Sequence, residues 1–129
     1  MGAVDLKMPV LIVDDYKTMI RIIRVLMNQL GFENVDEASD GNQALEKLRS
    51  QPYSLVISDW SLQPMSGLDL LRQVRSDSHL NQLPFVMIAG EHKDENAARA
   101  KEAGVNGFIV KPFNATTLKS RLTPIIGKF

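Results

Sequence analysis

Short apolar runs that stop at a charged residue alternate along this chain with stretches whose apolar positions recur every three or four residues. Val10–Val13 is unbroken and runs directly into Asp14 and Asp15. A run this short without polar interruption suits a strand buried on both faces, as in a parallel sheet covered by helices. Tyr16–Leu30 then takes up a helical period, with Met19, Ile22, Ile23, Leu26, Met27 and Leu30 on one face and Arg21, Arg24, Asn28 and Gln29 elsewhere. Gly31 is placed to cap it. Asn34–Ala38 reads as a short second strand, Ser39-Asp40-Gly41 as a turn, and Asn42–Arg49 as a helix carrying Ala44, Leu45 and Leu48 until Pro52 closes it.

The cycle repeats. Leu55-Val56-Ile57 is a buried strand that also runs into an acid, Asp59, followed by turn formers from Trp60 to Gly67. Leu68–Arg75 is helical with Leu68, Leu71 and Val74 inward. Pro84 introduces a strand over Phe85–Ala89 that empties into Gly90. Asp94–Ala103 is helical, but its inward candidates are Ala97, Ala98, Ala100 and Ala103, and small side chains bury little area, so this helix is expected to be held loosely. Gly104 caps it. Gly107–Val110 is a fifth strand, followed by Lys111, and Asn114 is the expected N-cap of a last helix carrying Leu118, Leu122 and Ile125. Pro124 is expected to kink or end that helix. Strands alternating with helices imply an α/β domain over residues 1–129, with a parallel sheet and right-handed connections.

Composition removes several function classes. Lys+Arg and Asp+Glu both number 15, so no net field attracts nucleic acid or an anionic membrane. The absence of cysteine excludes disulfides, thiolate metal sites and a Cys nucleophile. No apolar run approaches a membrane span, and MGAVDLKMPV lacks the apolar stretch of a secretion signal. A cytoplasmic monomer is expected.

The chemistry collects after the strands. In a parallel sheet Asp14 and Asp15, Asp59, Ala89-Gly90 and Lys111 all fall on one edge, where ligands of open α/β sheets bind. Two carboxylates about 5 Å apart repel by roughly 3 kcal/mol at an effective dielectric near 20. A divalent ion with oxygen ligands, such as Mg²⁺, removes that penalty. Acids for a metal, a further strand-end Asp and a Lys for anionic oxygens suit phosphoryl transfer to a carboxylate, with Asp59 attacking in line.

The segments VLIVDD, TMIRIIR, ASDG, LVISDW, SGLDLL, LPFVMIA and GFIVKPFNATTLK together resemble the receiver domains of two-component response regulators, in particular the single-domain chemotaxis receivers of the CheY type. The resemblance covers nearly the whole chain. It implies a doubly wound five-stranded sheet of order 2-1-3-4-5, with Asp59 taking phosphate from a histidine kinase. It implies Mg²⁺ on Asp15, Asp59 and the carbonyl of Ser61, with Asp14 acting through water and Lys111 pairing a phosphoryl oxygen. Its output surface is the face of the fourth helix, fifth strand and fifth helix, which would engage a flagellar motor switch protein or another partner.

Two departures stand out. The family normally has Thr or Ser at the end of the fourth strand, whose hydroxyl grips the phosphoryl group; here it is Ala89. The usual switch aromatic, often Tyr, is Phe108. A hydrogen bond to a charged group contributes about 1.5–3 kcal/mol, so switching should weaken and a phosphate-sink role gains weight. Pro64 is shifted by one place, a loop variation. Trp60 is either a rim residue or a packed indole, Gly90 a turn residue or an opening for water, and His79 and His92 are surface residues outside metal spacing.

Other classes fit less well. An Asp-nucleophile phosphatase places a general acid two residues after its nucleophile, where this chain has Ser61. A flavodoxin-like cofactor binder needs a phosphate loop after the first strand, where Asp14 and Asp15 repel anions. A DNA-binding regulator would need a recognition domain beyond Phe129.

Overall fold

A computed structural model describes residues 4–90 and 94–129. Its strands are β1 (Val10–Val13), β2 (Val35–Ala38), β3 (Leu55–Asp59), β4 (Phe85–Ala89) and β5 (Gly107–Val110). All pair in parallel in the order β2-β1-β3-β4-β5, as the resemblance implied. The helices are α1 (Lys17–Gln29), α2 (Gly41–Ser50), α3 (Gly67–Ser76), α4 (Asp94–Glu102) and α5 (Ala115–Ile126).

Strand alternation divides the core into two layers. Val10, Ile12, Ile57, Ile88 and Ile109 face Ile20, Ile23 and Met27 of α1 and Leu118 and Leu122 of α5. Leu11, Val13, Val56, Phe85 and Met87 face Ala44, Leu45 and Leu48 of α2 and Leu70, Leu71 and Val74 of α3. The three inner strands are buried along their full length, which is why they read as continuous apolar runs. Edge strand β2 instead carries Asp36 and Glu37, and its sequence signal is correspondingly faint. Asp36 there accepts from the Tyr53 hydroxyl and Lys47.

Caps mark the helix ends where short polar residues stand. Asp40, Ser66 and Asn114 accept from the backbone N–H three residues on, at 2.7, 3.0 and 2.9 Å. Each such cap stabilises by about 1 kcal/mol. Gly31 and Gly104 close α1 and α4 with φ of +103° and +97°, a region costly for side chains with a Cβ.

Three expectations need correction. Ile22 is not on the inward face of α1 but 43% exposed, and Ile20 takes its place, because the 20-23-27 spacing follows the helical turn more closely. In α4, Ala98 is exposed and Ala100 is the buried residue, with Ala97 partly covered. The apolar contact of this helix is thin, as its small side chains led one to expect. Pro124 does not end α5, which continues to Ile126. Only its own N–H to Ser120 is forfeited, and the Gly127 N–H closes the end on the Thr123 carbonyl at 3.0 Å.

Candidate functional site

The ladder continues one residue past the strands and so fixes the backbone of the residues that matter. The N–H groups of Asp14, Trp60 and Lys111 donate to the carbonyls of Ala38, Ile88 and Ala89 at 3.1, 2.8 and 2.8 Å. Side chains at these positions therefore start from rigid ground.

Asp14, Asp15 and Asp59 each bring a carboxylate oxygen to within 4.8 Å of the other two. Asp14 and Asp59 are only 2% and 6% exposed, whereas Asp15 faces solvent. Lys111 Nζ lies 2.9 Å from Asp59 Oδ1, and the Ser61 N–H donates to Asp59 Oδ2 at 3.2 Å. Both oxygens of Asp59 are thus held. Asp14 Oδ1 accepts from the Tyr16 N–H at 2.9 Å. Burial, reinforced by the neighbouring Asp59 and Asp15 charges, nevertheless pushes the Asp14 carboxyl up to about 6, overcoming the pull of that N–H and of Lys111. A carboxylate so placed is short of positive charge, and a divalent cation among the three oxygens meets that need. The donor set, hard oxygens alone, fits Mg²⁺.

The sequence-predicted residues therefore converge: Asp14, Asp15, Asp59 and Lys111 form one cluster, and Ser61 joins it through its backbone. Ala89 and Phe108 lie on the adjoining strands. Ala89 is 2% exposed and presents a methyl group. The partly buried Phe108 ring meets the Trp60 indole edge to face, centroids 6.1 Å apart and planes at 69°. Trp60, next to Asp59 in the chain, is partly buried. His79 is exposed, its N–H on Asp77, and His92 lies outside the described residues.

Two supports escaped the sequence reading. A Cβ on Gly67 would stand 2.1 Å from the Asp59 carbonyl oxygen, so only glycine lets the start of α3 close on β3. The buried Ser58 hydroxyl donates to the same carbonyl at 3.0 Å. Gly67 was visible only as a turn former, and the approach depends on a packing of loop and strand that local sequence does not reveal. A cavity of about 570 Å³ beside Leu48, Tyr53 and Pro84 lies at the opposite end of the strands, away from every titratable group of this cluster.

The family model for the response regulator receiver domain matches residues 10–123. The chemotaxis protein CheY-3 of Vibrio cholerae is 48% identical over 118 residues, covering 92% of this chain and 91% of that protein. The structure of CheY4 from the same organism superposes with a TM-score of 0.84 at 31% identity, covering 92% of this chain and 98% of that one. The receiver domain of sensor histidine kinase PA1611 from Pseudomonas aeruginosa, solved with magnesium coordinated in its active-site cleft, shares the fold with a TM-score of 0.84 at 23% identity, covering 93% of this chain and 98% of that one. With its sheet order and strand-end acids already described, the chain belongs to the response regulator receiver domain family, as a chemotaxis receiver of the CheY type.

Proposed function

We propose that Asp59 accepts a phosphoryl group from the phosphohistidine of a histidine kinase, in a reaction that requires Mg²⁺. An Asp59 oxygen attacks phosphorus as the N–P bond breaks, giving an acyl phosphate and a free imidazole. The observation that carries this reading is Asp59 itself: buried, held at one oxygen by Lys111 and at the other by the Ser61 N–H, beside two further carboxylates. Asp15, Asp59 and the Ser61 carbonyl would hold Mg²⁺, with Asp14 acting through water. Bound there, the ion supplies neutralisation of charge on the transferring oxygens. The magnesium in the PA1611 receiver supports the same use of the cleft.

Lys111 pairs with Asp59 before transfer and is placed to pair with a phosphoryl oxygen after it. Ser61 offers no general acid, which argues against turnover on outside substrates. The domain therefore supports its own phosphorylation and dephosphorylation as a signalling protein of the cytoplasm. Its output runs through the α4-β5-α5 face to a flagellar motor switch protein or another partner. One observation favours a second reading, a phosphate sink that drains the kinase: buried Ala89 has no hydroxyl to report the phosphoryl group to that face.

Uptake of labelled phosphate from acetyl phosphate tests the chemistry. The native protein is expected to label only with Mg²⁺, Asp15→Ala to label poorly, and Asp59→Asn not at all. Equal labelling of Asp59→Asn would overturn the assignment.

A further inference from the structure

We propose that the outer edge of β2 is a strand-pairing surface for a second copy of this chain, held shut by Arg24 of α1 and Lys47 of α2. β2 lies at the side of the sheet, with β1 next to it and no strand beyond it among the described residues. The ladder sorts its backbone groups. The Asn34 and Ala38 carbonyls accept from the Val10 and Asp14 N–H groups at 2.9 and 3.1 Å, so they point at β1. Alternation turns the backbone groups of Val35 and Glu37 the other way, where a sixth strand would find them.

Both outward carbonyls are already taken. Arg24 Nη1 donates to the Val35 carbonyl at 2.8 Å, while its Nε and Nη2 hold the Glu37 carboxylate. Lys47 Nζ donates to the Glu37 carbonyl at 2.6 Å and pairs with Asp36 Oδ1 at 3.2 Å. The Glu37 N–H donates to the same Asp36 oxygen at 2.9 Å. The Tyr53 hydroxyl, donating to Asp36 Oδ2, fixes the carboxylate that orients Lys47. α1 packs in the layer of Val10 and Ile12 and α2 in that of Leu11 and Val13. The two cations therefore reach the edge from opposite faces of the sheet, like a clasp.

Charge adds a second barrier. Antiparallel pairing centred on position 37 sets Glu37 opposite Glu37 of the second copy and Asp36 opposite Ala38, and like charges directly across a ladder are unfavourable. That barrier is the weaker one. Glu37 is half-exposed and already neutralised by Arg24, so its repulsion is screened. The occupied carbonyls refuse an incoming strand whatever its charge, because pairing must first break bonds to two cations. Arg24 and Lys47 thus give the monomer a structural cause that does not involve Asp59.

Sedimentation from micromolar to millimolar protein, with circular dichroism to confirm folding, separates the two barriers. The native chain should stay a monomer. Glu37→Val removes the like charge but leaves Arg24 on the Val35 carbonyl and Lys47 on the carbonyl of position 37, so it should stay monomeric too. Adding Arg24→Met and Lys47→Met opens both carbonyls, and this triple variant should approach twice the monomer mass as concentration rises. Amide exchange at positions 35 and 37 should slow in step, which places the contact on β2. A folded triple variant that stays monomeric, or one that associates with exchange at both positions unchanged, would overturn the proposal. So would Glu37→Val alone associating as strongly as the triple variant, or a native chain that dimerises with protection at these positions. Where the triple variant does not fold, Arg24→Met with Glu37→Val decides: it opens the Val35 carbonyl alone and should show weaker association with slowed exchange at position 35, and its absence would equally overturn the proposal.

Discussion

At the ends of β1 and β3 the backbone delivers three carboxylates whose oxygens lie within 4.8 Å of one another; at the end of β4 and within β5 it delivers a methyl group and a ring without a hydroxyl. The first region is held by directional bonds: Lys111 and Ser61 on Asp59, Tyr16 on Asp14, Ser58 on the Asp59 carbonyl. The second rests on the apolar contact of Trp60 with Phe108 and on a helix, α4, whose one buried residue is Ala100. Geometry tight enough for chemistry has been kept where charge must be handled. At the end of β4 and within β5, Ala89 and Phe108 carry no hydroxyl.

Two glycines break this comparison most sharply. Gly67→Ala would drive a methyl group into the Asp59 carbonyl, a backbone atom that cannot swing aside. It should cost about 3 kcal/mol by urea denaturation and weaken Mg²⁺ binding as well. The matching change in the second region is Gly90→Ala, the smallest effect expected here. A Cβ there meets nothing within 4 Å, so stability should stay within about 0.5 kcal/mol of native.

Acidity separates the regions next. Asp14 ionises near 6 in the folded protein and near 3.8 when exposed, so between those values the folded state binds more protons than the unfolded state. Without divalent cation, stability should be greater at the acid end of this window and fall as pH rises through it. The total loss is on the order of 2–3 kcal/mol. Asp14→Asn should flatten the profile, and saturating Mg²⁺ should oppose the loss. A metal-free protein whose stability rises with pH over that window would count against the burial of charge at this site.

A polar cluster away from the strand ends supplies the opposite sign. Burial alone would raise the Asp36 carboxyl, but the Tyr53 hydroxyl, with the Glu37 N–H and Lys47, draws it below its ordinary value. Its contribution is therefore present above the ordinary carboxylate range and lost as pH falls toward the lowered folded value. Tyr53→Phe should cost about 1 kcal/mol at neutral pH, because Asp36 is partly exposed and screened, and less in acid. Denaturation at the two pH values checks both magnitude and sign.

The sequence showed most of the fold because the inner strands are buried on both faces and therefore uninterrupted, as in Val10–Val13 and Phe85–Ala89. It misplaced Ile22 and Ala98 because an apolar residue on a helix flank satisfies a period without being covered. Pro124 does not end α5 at its own position, because its missing donor matters little so near the last turn. Asp14, Asp15, Asp59 and Lys111 could be read directly, since parallel strands bring their ends to one edge. Gly67, Ser58 and the Trp60–Phe108 contact could not, because each depends on the distance between segments far apart in the chain.

The central claim is that this acidic pocket makes one carboxylate, that of Asp59, able to carry phosphate. Borohydride reduction of the protein after treatment with acetyl phosphate and Mg²⁺ tests it, since an aspartyl phosphate is converted to homoserine and located by peptide mass. Homoserine at position 59 alone, absent when Mg²⁺ is withheld, is the predicted result. Homoserine at Asp14 or Asp15, or none at position 59 in a folded protein, would contradict it.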